Sequence, residues 1–189
     1  MRRLGSVFLI VAALGVAGCG SDSKSSTTTT PASTATDDWA NGVCSAIDTW
    51  VGSITSAANS VTTGGLSKES LQSAGDDLKT ATETLESDLK DLGKPNTEAG
   101  QEAKDAVDQL ASDLKTGADS IKTAVDGVSD VSDIASAVAT IGTTVTTMQS
   151  QVSSTFTTLE QLDSNGELKT AFEQSSACQQ LAGTGTSTT

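Results

Sequence analysis

From Trp39 to Leu162 the large apolar side chains recur mostly three or four residues apart, and that spacing is compatible with little besides helix. Residues 132–162 put the rule to its hardest test. They are rich in Thr and Val, whose local preference is for strand. Yet Ile134, Val138, Ile141, Val145, Met148, Val152, Phe156, Leu159 and Leu162 keep three- and four-residue steps throughout. Alternation would put Val145 and Met148 on opposite faces of a strand, whereas a helix puts them on one face.

Three earlier segments follow the same rule. The first has Asp37 or Asp38 as its expected N-cap, then Trp39, Val43, Ile47, Trp50, Val51, Ile54, Ala58 and Val61, with Gly64-Gly65 ending it. The second opens at N-cap Ser67, with Leu66 and Leu71 placed as a hydrophobic staple. Leu71, Leu78, Leu85 and Leu92 then follow at seven-residue steps, and Gly93 and Pro95 stop the helix. The third starts near Asn96 or Thr97, carries Ala103, Val107, Leu110, Leu114, Ala118, Ile121 and Val125 on one stripe, and ends around Gly127. After the long fourth segment, Ser164-Asn165-Gly166-Glu167 predicts a capping box opening a shorter fifth helix with Leu168, Phe172 and Leu181 inward. The expected fold is all-α: an antiparallel bundle of four long helices plus a short C-terminal helix, over residues 37–182. Its stripes are narrow, and Gly75, Gly100, Gly117 and Gly142 interrupt helix interiors at about 1 kcal/mol each relative to Ala. Such small residues suit either close helix approach or empty space between helices.

The first 36 residues are of a different kind. Arg2 and Arg3 precede an apolar run of eleven residues, 7–17. A hydrocarbon layer needs about 20 helical residues, so the run is too short to span one and reads as a signal peptide over residues 1–18. Val16-Ala17-Gly18-Cys19 closes it and resembles the lipobox of bacterial prelipoproteins. That resemblance implies cleavage before Cys19, a diacylglyceryl group on its thiol, and a further acyl chain on its nitrogen. Two or more chains anchor a protein stably, at about 0.8 kcal/mol per buried methylene. The implied location is the extracytoplasmic face of the cell membrane. The alternative is a secreted protein in which Cys19 is incidental. Residues 19–36 are nearly all Ser, Thr, Ala and Asp and read as a disordered tether, with an r.m.s. span of roughly 20–25 Å. Thr27 to Thr30 could accept O-linked sugar or serve as plain spacer. The tail, 183–189, reads as disordered too.

Charge narrows the partners. All 24 carboxylates follow position 18 and both arginines precede it, which leaves nine lysines and a mature formal charge of −15. Nucleic acid is excluded as a partner, because its binding depends on clustered Lys and Arg. The chain has no His and no Tyr. With the commonest general base missing, no catalytic, cofactor-binding or metal-binding residue is assigned and no cofactor is expected.

Cys44 and Cys178 remain as an even pair in an exported chain and imply a disulfide. Closing a loop of about 135 residues is worth roughly 5 kcal/mol in the chain-entropy model. A redox-active pair would need C-x-x-C spacing, which is absent. Ser112-Asp113-Leu114-Lys115-Thr116-Gly117 contains S-x-x-K and K-T-G, but both overlap within one helical segment, where they cannot meet across a cleft. The aspartates from Asp126 to Asp133 lack the EF-hand order and suit a helix cap. Trp39 and Trp50 share one azimuth and suit core packing better than a ligand wall, and acidic clusters such as Asp76-Asp77 and Asp105 with Asp108 suit solvated faces.

With Trp39 and Cys44 early and Cys178-Gln179-Gln180-Leu181 late, the exposed domain resembles the Cys-paired helical lipoproteins of high-GC Gram-positive bacteria, a likeness that implies no activity. The expected function is that of a non-enzymatic, membrane-anchored envelope protein, an interaction or spacer module with a partner in the envelope. The alternative is a carrier of a lipophilic small molecule between the helices.

Overall fold

The computed structural model describes residues 35–184. The signal peptide, Cys19, nearly all of the tether and residues 185–189 lie outside the described residues. The described chain forms α1 (Thr36–Gly64), α2 (Lys68–Asp91), α3 (Gly100–Asp126), α4 (Val131–Leu162), α5 (Glu167–Gln174) and α6 (Ser176–Thr184). No strand occurs among the described residues, and the class is all-α.

Where the chain supplies a cap, the helix begins at it. Ser67 accepts from the Ser70 amide at 3.1 Å and Ser70 Oγ reciprocates on the Ser67 amide, a closed capping box at the start of α2. Asp130 caps α4 through the Ser132 amide at 2.9 Å, while Asp133 accepts from the Ser129 and Asp130 amides. The expected capping role of the Asp126 to Asp133 segment is thus fulfilled by Asp130 and Asp133. Gly93 takes φ +66° just past α2, a left-handed turn that glycine tolerates best.

Several boundaries differ from expectation. α1 starts at Thr36 with Ala35 as N-cap, so Asp37 and Asp38 lie in the first turn, where carboxylates complement the helix dipole without capping. α3 starts at Gly100 rather than near Thr97. The chain turns so tightly there that a Cβ on residue 100 would lie 2.2 Å from the Pro95 carbonyl oxygen. The staple at α2 is one-sided, for Leu71 is buried and Leu66 stands 62% exposed. Glu167 makes no capping box with Ser164. Instead Asp163, buried, accepts from the Asn165 amide at 3.0 Å and the Leu168 amide at 3.1 Å, and Gly166 turns left-handed between them. The single short C-terminal helix is in fact two. Ser175 breaks it by adopting extended backbone and accepting from the Cys178 amide at 3.3 Å, which makes it the N-cap of α6.

In the Thr-rich α4, threonine hydroxyls bond to the helix's own backbone. Thr140, Thr143, Thr146, Thr147, Thr157 and Thr158 each donate to the carbonyl four residues back, at 2.9–3.1 Å. A potential competitor for backbone hydrogen bonds is thereby satisfied inside the helix.

The long helices run antiparallel. Trp39 Nε1 donates to the Gly93 carbonyl at 3.2 Å, joining the start of α1 to the end of α2, and Gly75 near the start of α2 faces Val125 at the end of α3. Gly117, midway along α3, lies against Met148 of α4. α1 packs on α2, α2 on α3 and α3 on α4, but α1 and α4 share no packed seam. α5 lies between them, touching both, and α6 packs on α1. These two short helices fill the opening only at the end that holds Trp39, Cys44 and Leu159.

Candidate functional site

The chemistry-bearing residues of the sequence motifs do not converge. Lys115 pairs with Asp119 at 3.8 Å and Thr116 Oγ1 donates to the Ser112 carbonyl at 3.0 Å, so the S-x-x-K and K-T-G elements remain surface features of one helix. Asp76 meets Lys122 at 3.4 Å, Lys104 pairs with Asp108, and Gln101 donates to Asp105 at 2.9 Å. Among the described residues no group of three His, Cys, Asp or Glu is placed to hold a metal ion.

Both tryptophans belong to the core. Trp39 is buried, edge-on to Phe172 with ring centroids 6.0 Å apart, and Phe172 meets Phe156 at 5.4 Å. Trp50, also buried, donates from Nε1 to Thr82 Oγ1 at 3.0 Å, and Thr82 donates onward to the Leu78 carbonyl at 2.8 Å. Cys44 and Cys178 form the expected disulfide, tying α1 to α6 across a sequence separation of 134 residues.

The feature with a ligand's dimensions lies at the other end. Because α1 and α4 do not meet there, the apolar stripes of all four long helices border an open groove of about 570 Å³. α2 and α3 form its floor with Leu71, Leu78, Ile121 and Val125, all buried. α1 supplies one wall with Ile54, Ala58 and Val61, and α4 the other with Val138, Ile141 and Val145. The wall residues are half-buried or exposed. Leu66, Val131 and Val138 are the large apolar side chains left exposed among the described residues, and all lie at this end. Leu66 and Val138 border the groove itself.

Charge is segregated around it. No ionisable residue occurs between Asp48 and Lys68, which covers the α1 wall, or between Asp133 and Glu160, which covers the α4 wall. Five lysines of α2 and α3 pair with carboxylates of those two helices. Lys79 binds Glu83, Lys90 binds Glu86 at 2.6 Å, and Lys122 binds Asp126 at 2.5 Å as well as Asp76. Hydrogen bonds from these partners hold the Lys79, Lys90 and Lys122 ammonium groups above the usual lysine pKa, and hold Glu83 and Glu86 below the usual carboxylate value. The Ser132 hydroxyl and amide likewise lower the pKa of Asp130. A second, shallower valley of about 650 Å³ runs between α1 and α2. Ser53, Ser56, Thr80, Thr84, Asp77 and Asp88 border it and give it the character of solvated surface.

Apolar spacing alone does not reveal the groove, although two signals in the sequence point to it: glycines and alanines in the stripes, and the two long uncharged runs in an otherwise acidic chain. No described helix is long and apolar enough to cross a membrane. Comparison with family models, with curated proteins and with solved structures finds no match for this chain.

Proposed function

We propose that this chain is a non-enzymatic lipoprotein of the bacterial cell envelope, held at the extracytoplasmic face of the membrane by acyl chains on Cys19, and that it carries a lipophilic molecule in the groove between α1 and α4. The groove is the observation that carries the reading. Its volume of about 570 Å³ falls within the range of small-molecule pockets, and its lining is apolar without an ionisable group. A patch of apolar surface left open on four helices at once is costly unless something covers it. The lipobox residues Val16-Ala17-Gly18-Cys19 support the anchor.

The second reading, an interaction or spacer module, draws on the same uncharged α1 and α4 surfaces, which could receive an envelope protein. One experiment separates the two. A photo-crosslinking amino acid is placed at Val138, on the lip of the groove and 41% exposed, and irradiated in cells that process lipoproteins. Carriage is supported by an adduct of lipid mass at position 138, together with acylated Cys19 in the N-terminal peptide. An adduct of protein mass supports the interaction module instead, and no adduct at all counts against both. An unmodified Cys19 thiol would remove the anchor.

A further inference from the structure

Resting on the carrier reading, we infer that the groove takes a single-chain lipid with an uncharged, hydroxyl-bearing headgroup, of the monoacylglycerol or fatty-alcohol kind, in preference to the same chain ending in a carboxylate or phosphate. The α1 wall runs from Ile54 to Thr62, eight residues or about 12 Å of helix, and Leu66 borders the groove from the loop beyond it. One leaflet of a bilayer's hydrocarbon core is about 15 Å thick, so the groove accommodates most of the length of one acyl chain.

The selectivity comes from what borders that chain. An anionic headgroup needs a cation or several N–H and O–H donors once water is displaced. Neither is at hand. Lys122, whose stem passes beside Gly75, keeps its ammonium on Asp76 and Asp126. Lys68, near Leu66 in sequence, does not line the groove and is followed by Glu69. Thr62, the one hydroxyl residue of the groove's described lining, already donates to the Asn59 carbonyl at 2.9 Å. Such an oxygen has no proton left to offer but keeps a lone pair. It can accept from a headgroup hydroxyl, and it repels a carboxylate. The formal net charge of −13 for the whole chain adds a long-range term of the same sign.

The test uses membranes bearing the full-length protein and two photoreactive probes with identical chains, a monoacylglycerol and the corresponding fatty acid, at pH 7.4. Labelled peptides are mapped by mass spectrometry. The expected result is labelling of the peptides spanning 54–66 and 138–145 by the monoacylglycerol at about tenfold or more over the fatty acid, a discrimination of about 1.4 kcal/mol. Ile141→Trp, which fills the groove from one wall, should abolish the labelling while circular dichroism confirms that the helices remain. Equal labelling by the two probes, or stronger labelling by the fatty acid, overturns the headgroup preference and leaves carriage standing. Absence of groove labelling by either probe overturns carriage itself.

Discussion

The two ends of this bundle are built from the same four helices and come to opposite outcomes. At the end holding Trp39, α5 occupies the gap between α1 and α4 with α6 packed on α1 and α5, three aromatic rings meet edge-on, and Cys44 is bonded to Cys178. At the end holding Leu66 no described element fills the gap, and Ile54, Val61, Ile141 and Val145 remain only half-buried. A four-helix ring closes when its first and last helices also pack. Here a wedge formed by α5, backed by α6 against α1, stands between them at one end, and the separation continues as a groove at the other. The covalent tie and the aromatic packing thus lie at the wedge, and apolar surface is left open where the wedge is missing.

Removing the staple should produce the largest effect. The double substitution Cys44→Ala, Cys178→Ala is expected to lower stability by about 3–5 kcal/mol and Tm by roughly 6–20 °C, read by calorimetry. A shift of only a degree or two would mean that the wedge holds without its covalent tie. Next in size comes a direct contrast between the ends. Phe172→Ala should cost about 3–5 kcal/mol, because a buried ring touching Trp39 and Phe156 leaves a cavity behind. Ile141→Ala should cost less than about 1 kcal/mol, because its side chain already borders open space and no new cavity forms. Urea melts of the two variants with equal midpoints would erase the distinction between the ends.

Between the two regions lies the Trp50 to Thr82 hydrogen bond. Thr82→Val keeps the shape of the side chain but removes the acceptor from a buried indole N–H, which is expected to cost about 1–3 kcal/mol. Tryptophan fluorescence should follow the loss. If the melt is unchanged, water reaches Trp50, and the open region extends further toward the wedge than its described lining.

Most of this architecture is legible in the apolar spacing of the chain. The stripes of α1 to α4 fall where the three- and four-residue steps put them, and Cys44 and Cys178 join as the expected pair. What spacing cannot express is whether a stripe has a partner. The α4 stripe reads as inward from end to end, yet of its large apolar members only Met148 and Leu159 are fully buried, because α1 does not come to meet the others. The C-terminal break at Ser175 is equally hidden. A serine inside a helical pattern becomes a cap only when a neighbour favours the extended backbone, and here Ser175 Oγ also donates to Asn41 Oδ1 of α1 at 3.1 Å. Pro95 and Gly100 show the same limit, since a close approach of two backbones depends on tertiary placement rather than on local preference.

The smallest effect is the sharpest probe of whether the open half is free in the isolated protein. Gly142 lies on α4 between Ile141 and Thr143, in the half whose stripe is uncovered, and a Cβ built there meets nothing within 4 Å. Glycine in a helix interior costs about 1 kcal/mol relative to alanine, so Gly142→Ala should raise stability by roughly 0.5–1 kcal/mol, seen as a higher urea midpoint with an unchanged slope. The Gly142 carbonyl already accepts the Thr146 hydroxyl at 2.9 Å, and the added methyl has no hydrogen bond to displace. A loss of stability would require an atom to stand where the described chain has none. A second copy or a resident lipid would then be covering α4, and repeating the melt across a range of protein concentrations would tell them apart, because only self-association makes the midpoint depend on concentration.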